Sequence, residues 1–312
     1  MTNQFGSLWI EKWRPKTLDE IVLSKDDREF FNSLKDKGEI PHLLFAGPAG
    51  VGKTTTAKVI IRDALGEPNF LYLNASDENS IDVIRSKVVS FAQTKSFDGR
   101  MKIVLLDEVD GLSGPAQDAL RNTIEEYSSN NRFIMTCNYL HKITKPIQSR
   151  CTILNLLPPA EGIVGRISEI LKAENISVDP SQKPLLLKHI KANLPDLRRI
   201  INDIQKFSVT GTLQIRHDAS TEFAEQILKK VINKGDLISL RKEIIENEKA
   251  FSNDYRSLLK QLFEATYNSD LTTDKKTEAM LIISKHMTDD AFVIDKEINC
   301  FTTIINLARN IS

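Results

Sequence analysis

Eight residues, Gly47-Pro48-Ala49-Gly50-Val51-Gly52-Lys53-Thr54, constrain this chain more than any others. They follow an apolar run, Leu43-Leu44-Phe45-Ala46, and precede a helix-like segment, Thr55 to Leu65. Strand, glycine loop, Lys-Thr and helix make up a phosphate-binding P-loop in the context that gives the motif its meaning. The glycines let successive backbone N–H groups turn toward one point with no Cβ in the way. The helix start behind them adds partial positive charge. Lys53 would reach the β- and γ-phosphates of a nucleotide, and the Thr54 hydroxyl would ligate Mg²⁺. The loop says that a nucleotide binds; it does not say what the nucleotide is for.

Composition narrows the class. A length of 312 residues suggests two or three domains. Lys+Arg 42 against Asp+Glu 42 leaves no net charge, so the chain is no uniformly basic nucleic-acid coat. Cys137, Cys151 and Cys300 are far apart with no CxxC pair, which argues against a disulfide framework or zinc site and fits a reducing cytosol. Met1 to Ile10 lacks the pattern of a secretory signal, and no apolar run reaches membrane-spanning length, so a cytoplasmic protein without a membrane partner is expected.

Up to about Leu157, short apolar runs alternate with helix-length amphipathic segments. Leu43 to Ala46, Phe70 to Asn74, Ile103 to Asp107, Arg132 to Cys137 and Thr152 to Leu156 read as strands. Ile81 to Gln93 and Gly114 to Tyr127 read as helices between them. That alternation predicts an α/β domain with a parallel sheet covered on both faces. Pro158-Pro159 ends the pattern. A helical segment follows, with Ile163, Ile167, Ile170 and Leu171 on one stripe. Ser208 to Ser220 reads as a polar linker, and five amphipathic helices follow it. The expected domains are 1–157, 158–210 and 217–312, the last an all-α oligomerisation domain.

Ile103-Val104-Leu105-Leu106-Asp107-Glu108 is an apolar strand ending in two acids. Placed next to the P-loop strand, Asp107 would reach the Mg²⁺ shell at the carboxyl edge of the sheet. Glu108 points differently and could polarise a water for attack on the γ-phosphate. An acid pair there also suits a solvated helix start. Asn138 ends another apolar strand and could hold the attacking water or the γ-phosphate; the alternative is a turn-forming asparagine. Arg150, just before the fifth strand, is by itself a surface residue. It gains meaning only if a neighbouring subunit's γ-phosphate lies opposite, where an arginine in trans stabilises transition-state charge.

Further segments carry a resemblance. Trp9-Ile10-Glu11-Lys12-Trp13-Arg14-Pro15 resembles the opening box of sliding-clamp loaders, and Asn74-Ala75-Ser76-Asp77 with Ile81 to Arg85 is similar to another. The P-loop, Leu106 to Asp110, Thr136-Cys137-Asn138, Ser149-Arg150-Cys151 and Pro195-Asp196-Leu197-Arg198 follow in that family's order. The likeness covers about residues 9 to 200. Chain length, Ser96 to Arg100 and Glu126 to Asn130 make it look most like the large ATPase subunit of T4-like bacteriophage loaders. Small subunits of the archaeal and eukaryotic loader come next.

The resemblance implies an AAA+ P-loop domain, a helical lid and a C-terminal collar, assembled in an open pentamer. The implied form is a homo-tetramer plus one small subunit. With ATP and Mg²⁺ it would open a sliding clamp, place it on primer–template DNA and leave after hydrolysis. By motif, Gly47 to Thr55 would bind the nucleotide, with Lys53 and Thr54 on its phosphates and Thr54 and Asp107 on the metal. Glu108 would be the catalytic base, Asn138 a first sensor, Arg198 a second sensor in the lid, and Arg150 the finger reaching the next subunit. Glu11, Trp13, Arg14 and Pro15 would lie against the adenine, although ordinary N-terminal packing also suits them. Arg85 and Lys87 are the candidates for DNA phosphates; for Lys87 a solvated helix face is the alternative. An AAA+ branch-migration or fork-remodelling motor, and a non-hydrolysing AAA+ scaffold, share parts of this pattern.

Overall fold

The computed structural model describes residues 8–66, 68–77, 80–96, 99–215 and 219–311. Phe97 and Asp98, which belong to one of the phage-like segments, lie outside the described residues, as does the side chain of Arg85. The chain forms two compact units, Met1–Ile215 and Arg216–Ser312.

The first unit is built on five parallel strands: β1 (Leu43–Ala46), β2 (Phe70–Asn74), β3 (Lys102–Asp107), β4 (Asn131–Cys137) and β5 (Thr152–Asn155). Their order is β2-β3-β4-β1-β5. Strand-to-strand returns through helices force the parallel sense. Side chains alternate between faces with the strand period of two. Leu43, Phe45, Ile103, Leu105 and Ile134 enter the core on one face, and Leu44, Ala46, Val104, Leu106, Phe133 and Met135 the core on the other. β1 is buried at every position and so reads as an unbroken apolar run, whereas the edge strands β2 and β5 are partly exposed.

Sheet order corrects one expectation. The acidic strand β3 is not beside the P-loop strand β1, because β4 lies between them. Asp107 still meets Thr54, since the P-loop helix Lys53–Val59 leaves β1 and packs over β4.

A third core closes the unit. The stripe Ile163, Ile167, Ile170 and Leu171 of helix Ala160–Ala173 is buried, as expected, with Ile190, Ile200 and Ile204 from the next two helices. Trp9 is also buried there, and its backbone N–H donates to Gln205 Oε1 at 2.9 Å. The segment read as a linker is in part core: Leu213 and Ile215 are buried, and Ser177 bridges to Thr212. Two apolar residues in a polar stretch carry no periodicity, so the sequence did not reveal them.

The second unit is all-helical. Helices Ala219–Ile232, Leu237–Glu246, Tyr255–Asn268, Thr273–Asp289 and Lys296–Ile311 surround a core that includes Leu258, Leu262, Ile283, Cys300 and Ile304. A short 3-10 turn, Glu248–Phe251, was not anticipated; it buries Phe251 in that core.

Candidate active site

The P-loop is held in the conformation its glycines allow. Gly50 and Gly52 have φ of 77° and 95°, where a side chain is strained. A Cβ on Gly50 would also lie 1.8 Å from Asp196 Oδ1. Asp196 accepts from Arg199 N–H at 2.9 Å and caps the helix Leu197–Phe207. The N–H of Arg198 donates to Gly50 O at 3.3 Å. The lid helix therefore begins against the loop.

Lys53 is 7% exposed and lies within the loop. Its ammonium donates to Gly47 O at 2.8 Å, Pro48 O at 2.7 Å and Asn138 Oδ1 at 2.8 Å. Burial lowers its pKa from the ordinary lysine value, and nearby Cys137, Asp107, Asp110 and Glu108 oppose that shift. Phosphate oxygens are competent to take over these bonds, because each present acceptor is an oxygen.

The Thr54 hydroxyl lies 2.8 and 2.9 Å from the two Asp107 carboxylate oxygens. Thr136 Oγ1 donates to Asp107 Oδ1 at 2.5 Å, and the Tyr72 hydroxyl to Oδ2 at 3.3 Å. A hydroxyl facing a carboxylate is a hard-oxygen donor set, and it fits Mg²⁺, which takes few protein ligands and keeps its waters. No group of three or more His, Cys, Asp or Glu gathers among the described residues, so nothing there offers a softer or more crowded metal site. Burial pushes the thiols of Cys137, Cys151 and Cys300 up to about 12, so none is a thiolate near neutral pH.

Glu108 is half-buried and left-handed, with φ 57° and ψ 46°. Its carboxylate accepts from Ser76 Oγ at 2.5 Å, and its N–H donates to Thr136 Oγ1 at 3.0 Å. Asp110 accepts from the N–H groups of Asn138 and Tyr139, each at 3.2 Å to its nearer oxygen, and so fixes the turn after β4. Sequence reasoning gave no role to Ser76, Tyr72, Asp110 or Thr136. Their contribution depends on three strands ending together, which no local pattern records.

Beside the loop lies an open cleft of about 440 Å³, lined by Gly47, Pro48, Ala49, Asn138, Tyr139 and Asn155 among others. Its size is that of a small-molecule site. Glu11, Trp13, Arg14 and Pro15 do not line it. Glu11 pairs with Arg14 at 2.6 Å on the surface, and Trp13 Nε1 donates to Glu174 Oε1 at 2.6 Å on the lid side.

Arg150 stands at the other edge of the sheet. Thr152 pairs with Leu43, the first residue of β1, so Arg150 sits at the strands' amino edge. The P-loop follows the carboxyl edge, roughly 13 Å away along a four-residue strand. Its guanidinium contacts Glu125 and donates to Pro146 O at 2.6 Å. Arg198 is exposed, on the first turn of the lid helix. Lys87 is exposed on the helical stretch Ile84–Val89.

Comparison with known proteins agrees with this geometry. Residues 43–159 match the ATPase family associated with various cellular activities (AAA). The replication factor C small subunit of Methanococcus maripaludis is 36% identical over 288 residues, covering 89% of this chain and 90% of that protein. This chain belongs to the replication factor C small-subunit family. The small subunit of Archaeoglobus fulgidus is 35% identical over 283 residues, covering 87% and 88% of the two chains. With the small subunit of Sulfolobus acidocaldarius identity rises to 44% over 213 residues, 67% of this chain and 65% of that one. Among solved structures, the Thermotoga maritima RuvB Holliday junction branch migration motor superposes with a TM-score of 0.53 at 19% identity. The match covers 74% of this chain and 85% of that one, and at such identity it shows the fold alone. As a member of this family the chain is an AAA ATPase. No helix among the described residues is long and apolar enough to cross a membrane.

Proposed function

We propose that this chain is an ATP-hydrolysing subunit of a clamp loader, which opens a ring-shaped sliding clamp and places it on primer–template DNA. One observation carries the proposal: the nucleotide site and the finger arginine lie at opposite edges of one sheet. Lys53, Thr54, Asp107, Glu108 and Asn138 meet at the carboxyl edge, and Arg150 is at the amino edge. On this reading Arg150, out of reach of its own site, completes the site of a neighbour, while Arg198 serves its own. The expected assembly is a pentamer, a homo-tetramer plus one small subunit.

In this reading Lys53 and the P-loop N–H groups bind the ATP phosphates, and Thr54 with Asp107 holds Mg²⁺. When bound, the ion neutralises charge on the phosphate oxygens. Glu108 accepts the proton of the attacking water. Asn138, held against Lys53, is placed to orient that water or the γ-phosphate. Arg198 senses the γ-phosphate from the lid, and Arg150 does so from the next subunit. Glu11, Trp13, Arg14 and Pro15 serve the adenine side through closure of the lid on which Trp13 rests. Arg85 and Lys87 contact DNA phosphates and make binding salt-sensitive. The domain division at 157, 210 and 217 remains part of this proposal. So does the likeness to the large subunit of T4-like phages, which rests on the motif-flanking segments; the relatives described above are archaeal.

The test is ATP turnover with and without sliding clamp and primed DNA. Stimulation by the two together is expected; a rate indifferent to both overturns the loader reading.

A further inference from the structure

A single side chain stands between the two acids of the site. Thr136 has no exposed surface, 0%, although it is polar. It pairs with Phe45 on β1, and the β3–β4 register, which ends at Leu106 with Met135, sets it beside Asp107. A hydroxyl has one hydrogen to give and lone pairs to receive. Thr136 uses both at once: it donates to Asp107 Oδ1 at 2.5 Å and accepts from the Glu108 N–H at 3.0 Å. The first is a short, charge-assisted bond of the strong class. The second supports a backbone conformation, φ 57°, that an L-residue leaves unless its surroundings hold it.

The neighbouring bonds show why this hydroxyl is the point of control. Thr54 hydrogen-bonds both carboxylate oxygens of Asp107. Ser76 hydrogen-bonds the Glu108 carboxylate. Among the described residues, Thr136 is the group bonded to both acids. It sits on the strand that separates them from the P-loop strand.

We propose that Thr136 is a positioning residue that sets Asp107 and Glu108 relative to one another, so that metal affinity and turnover share a dependence on its hydroxyl. This rests on the roles given above to Asp107 and Glu108. Thr136, fully buried, acts through these two acids.

The experiment compares the wild-type chain with Thr136→Val and Thr136→Ser. Valine is isosteric and suits a buried strand; serine keeps the hydroxyl and drops a methyl. Mn²⁺ binding is read by electron paramagnetic resonance with a non-hydrolysable ATP analogue present, and kcat and KM are measured at saturating Mg²⁺. Partners behind a metal ligand typically matter by about 10–100-fold in metal affinity or activity. Thr136→Val is expected to weaken Mn²⁺ binding and lower kcat within that range, with KM for ATP nearly unchanged. Thr136→Ser is expected to restore both to within a few-fold of wild type. Wild-type Mn²⁺ affinity and kcat in Thr136→Val overturn the inference. So does a folded Thr136→Ser that has lost Mn²⁺ binding, whether or not the valine variant folds. A wild-type chain that neither binds Mn²⁺ nor turns over ATP instead refutes the reading of the site itself, and the wild-type control tells the two failures apart.

Discussion

At the amino edge of the sheet, polar side chains bond mainly to backbone; at the carboxyl edge, Lys53, Thr54, Ser76 and Thr136 each hold another side chain. Lys102, 1% exposed, donates to Phe91 O at 2.5 Å, Thr94 O at 3.0 Å and Thr94 Oγ1 at 2.6 Å, with its ammonium over the Phe91 ring at 3.7 Å. Asn131 donates to Ala92 O at 2.9 Å, and Arg132 Nε to Ile40 O at 2.8 Å. His42 Nδ1 accepts from the Phe133 N–H at 3.1 Å. At the other edge the pairs are Lys53 with Asn138, Thr54 and Thr136 with Asp107, and Ser76 with Glu108. A backbone carbonyl is held in place by the fold and keeps its partner. Two side chains can part and bond a ligand instead. The same residue types are cement at one edge and exchangeable at the other.

Arg150 tests that contrast most severely, because it stands at the amino edge yet holds a side chain, Glu125. As a finger it supplies on the order of 10³–10⁵ in turnover. Mixing Arg150→Ala with wild-type subunits should lower hydrolysis at neighbouring sites. A defect confined to the mutant's own nucleotide site would remove the exception. Glu108→Gln comes next. It should retain ATP binding and lose about 10²–10⁴-fold in turnover, the range of a general base; unchanged turnover takes Glu108 out of that role.

Amino-edge changes should cost stability instead. Lys102→Met leaves the Thr94 carbonyl without this donor, at roughly 1–3 kcal/mol. Its melting temperature should fall while turnover per folded molecule stays at the wild-type level. Loss of turnover without loss of melting temperature would mean that the edges are not separable. The smallest effect concerns pH. Burial, with the positive charge of Arg132, holds His42 near a pKa of about 4 against an ordinary 6.5. The unfolded chain therefore takes up its proton first as pH falls. The stability due to neutral His42 is complete above pH 6.5 and declines between there and about 4. Urea midpoints across that window should fall less steeply in His42→Asn than in wild type; equal slopes would exclude His42 as the cause.

Much of this was legible in the sequence, for stated reasons. Five largely apolar runs bounded by breakers match the five strands within a residue or so, because the middle positions of the buried central strands β1, β3 and β4 are apolar. Lys102 was missed as part of β3 since a lysine seldom starts a buried strand; the helix end at Phe91 and Thr94 makes it tolerable. The order of strands was not legible. It is fixed by which helix crosses which strand, and that placed β4 where β1 had been expected to meet β3. P-loop chemistry was readable because it lies in eight consecutive residues. Thr136, Ser76 and Asp110 were not, since each acts on a residue far along the chain.

Gly50 carries a last consequence. Its left-handed backbone is what a phosphate cradle asks for, and Asp196 fills the space where a Cβ would stand. Asp196 could swing aside only by releasing the Arg199 N–H it caps, at about 1 kcal/mol. Two unrelated demands, one from a ligand and one from the lid, fall on one position. A substitution scan would record that glycine as intolerant and credit the nucleotide. Part of the signal would come from protein packing, and would persist in a relative that had stopped binding ATP altogether.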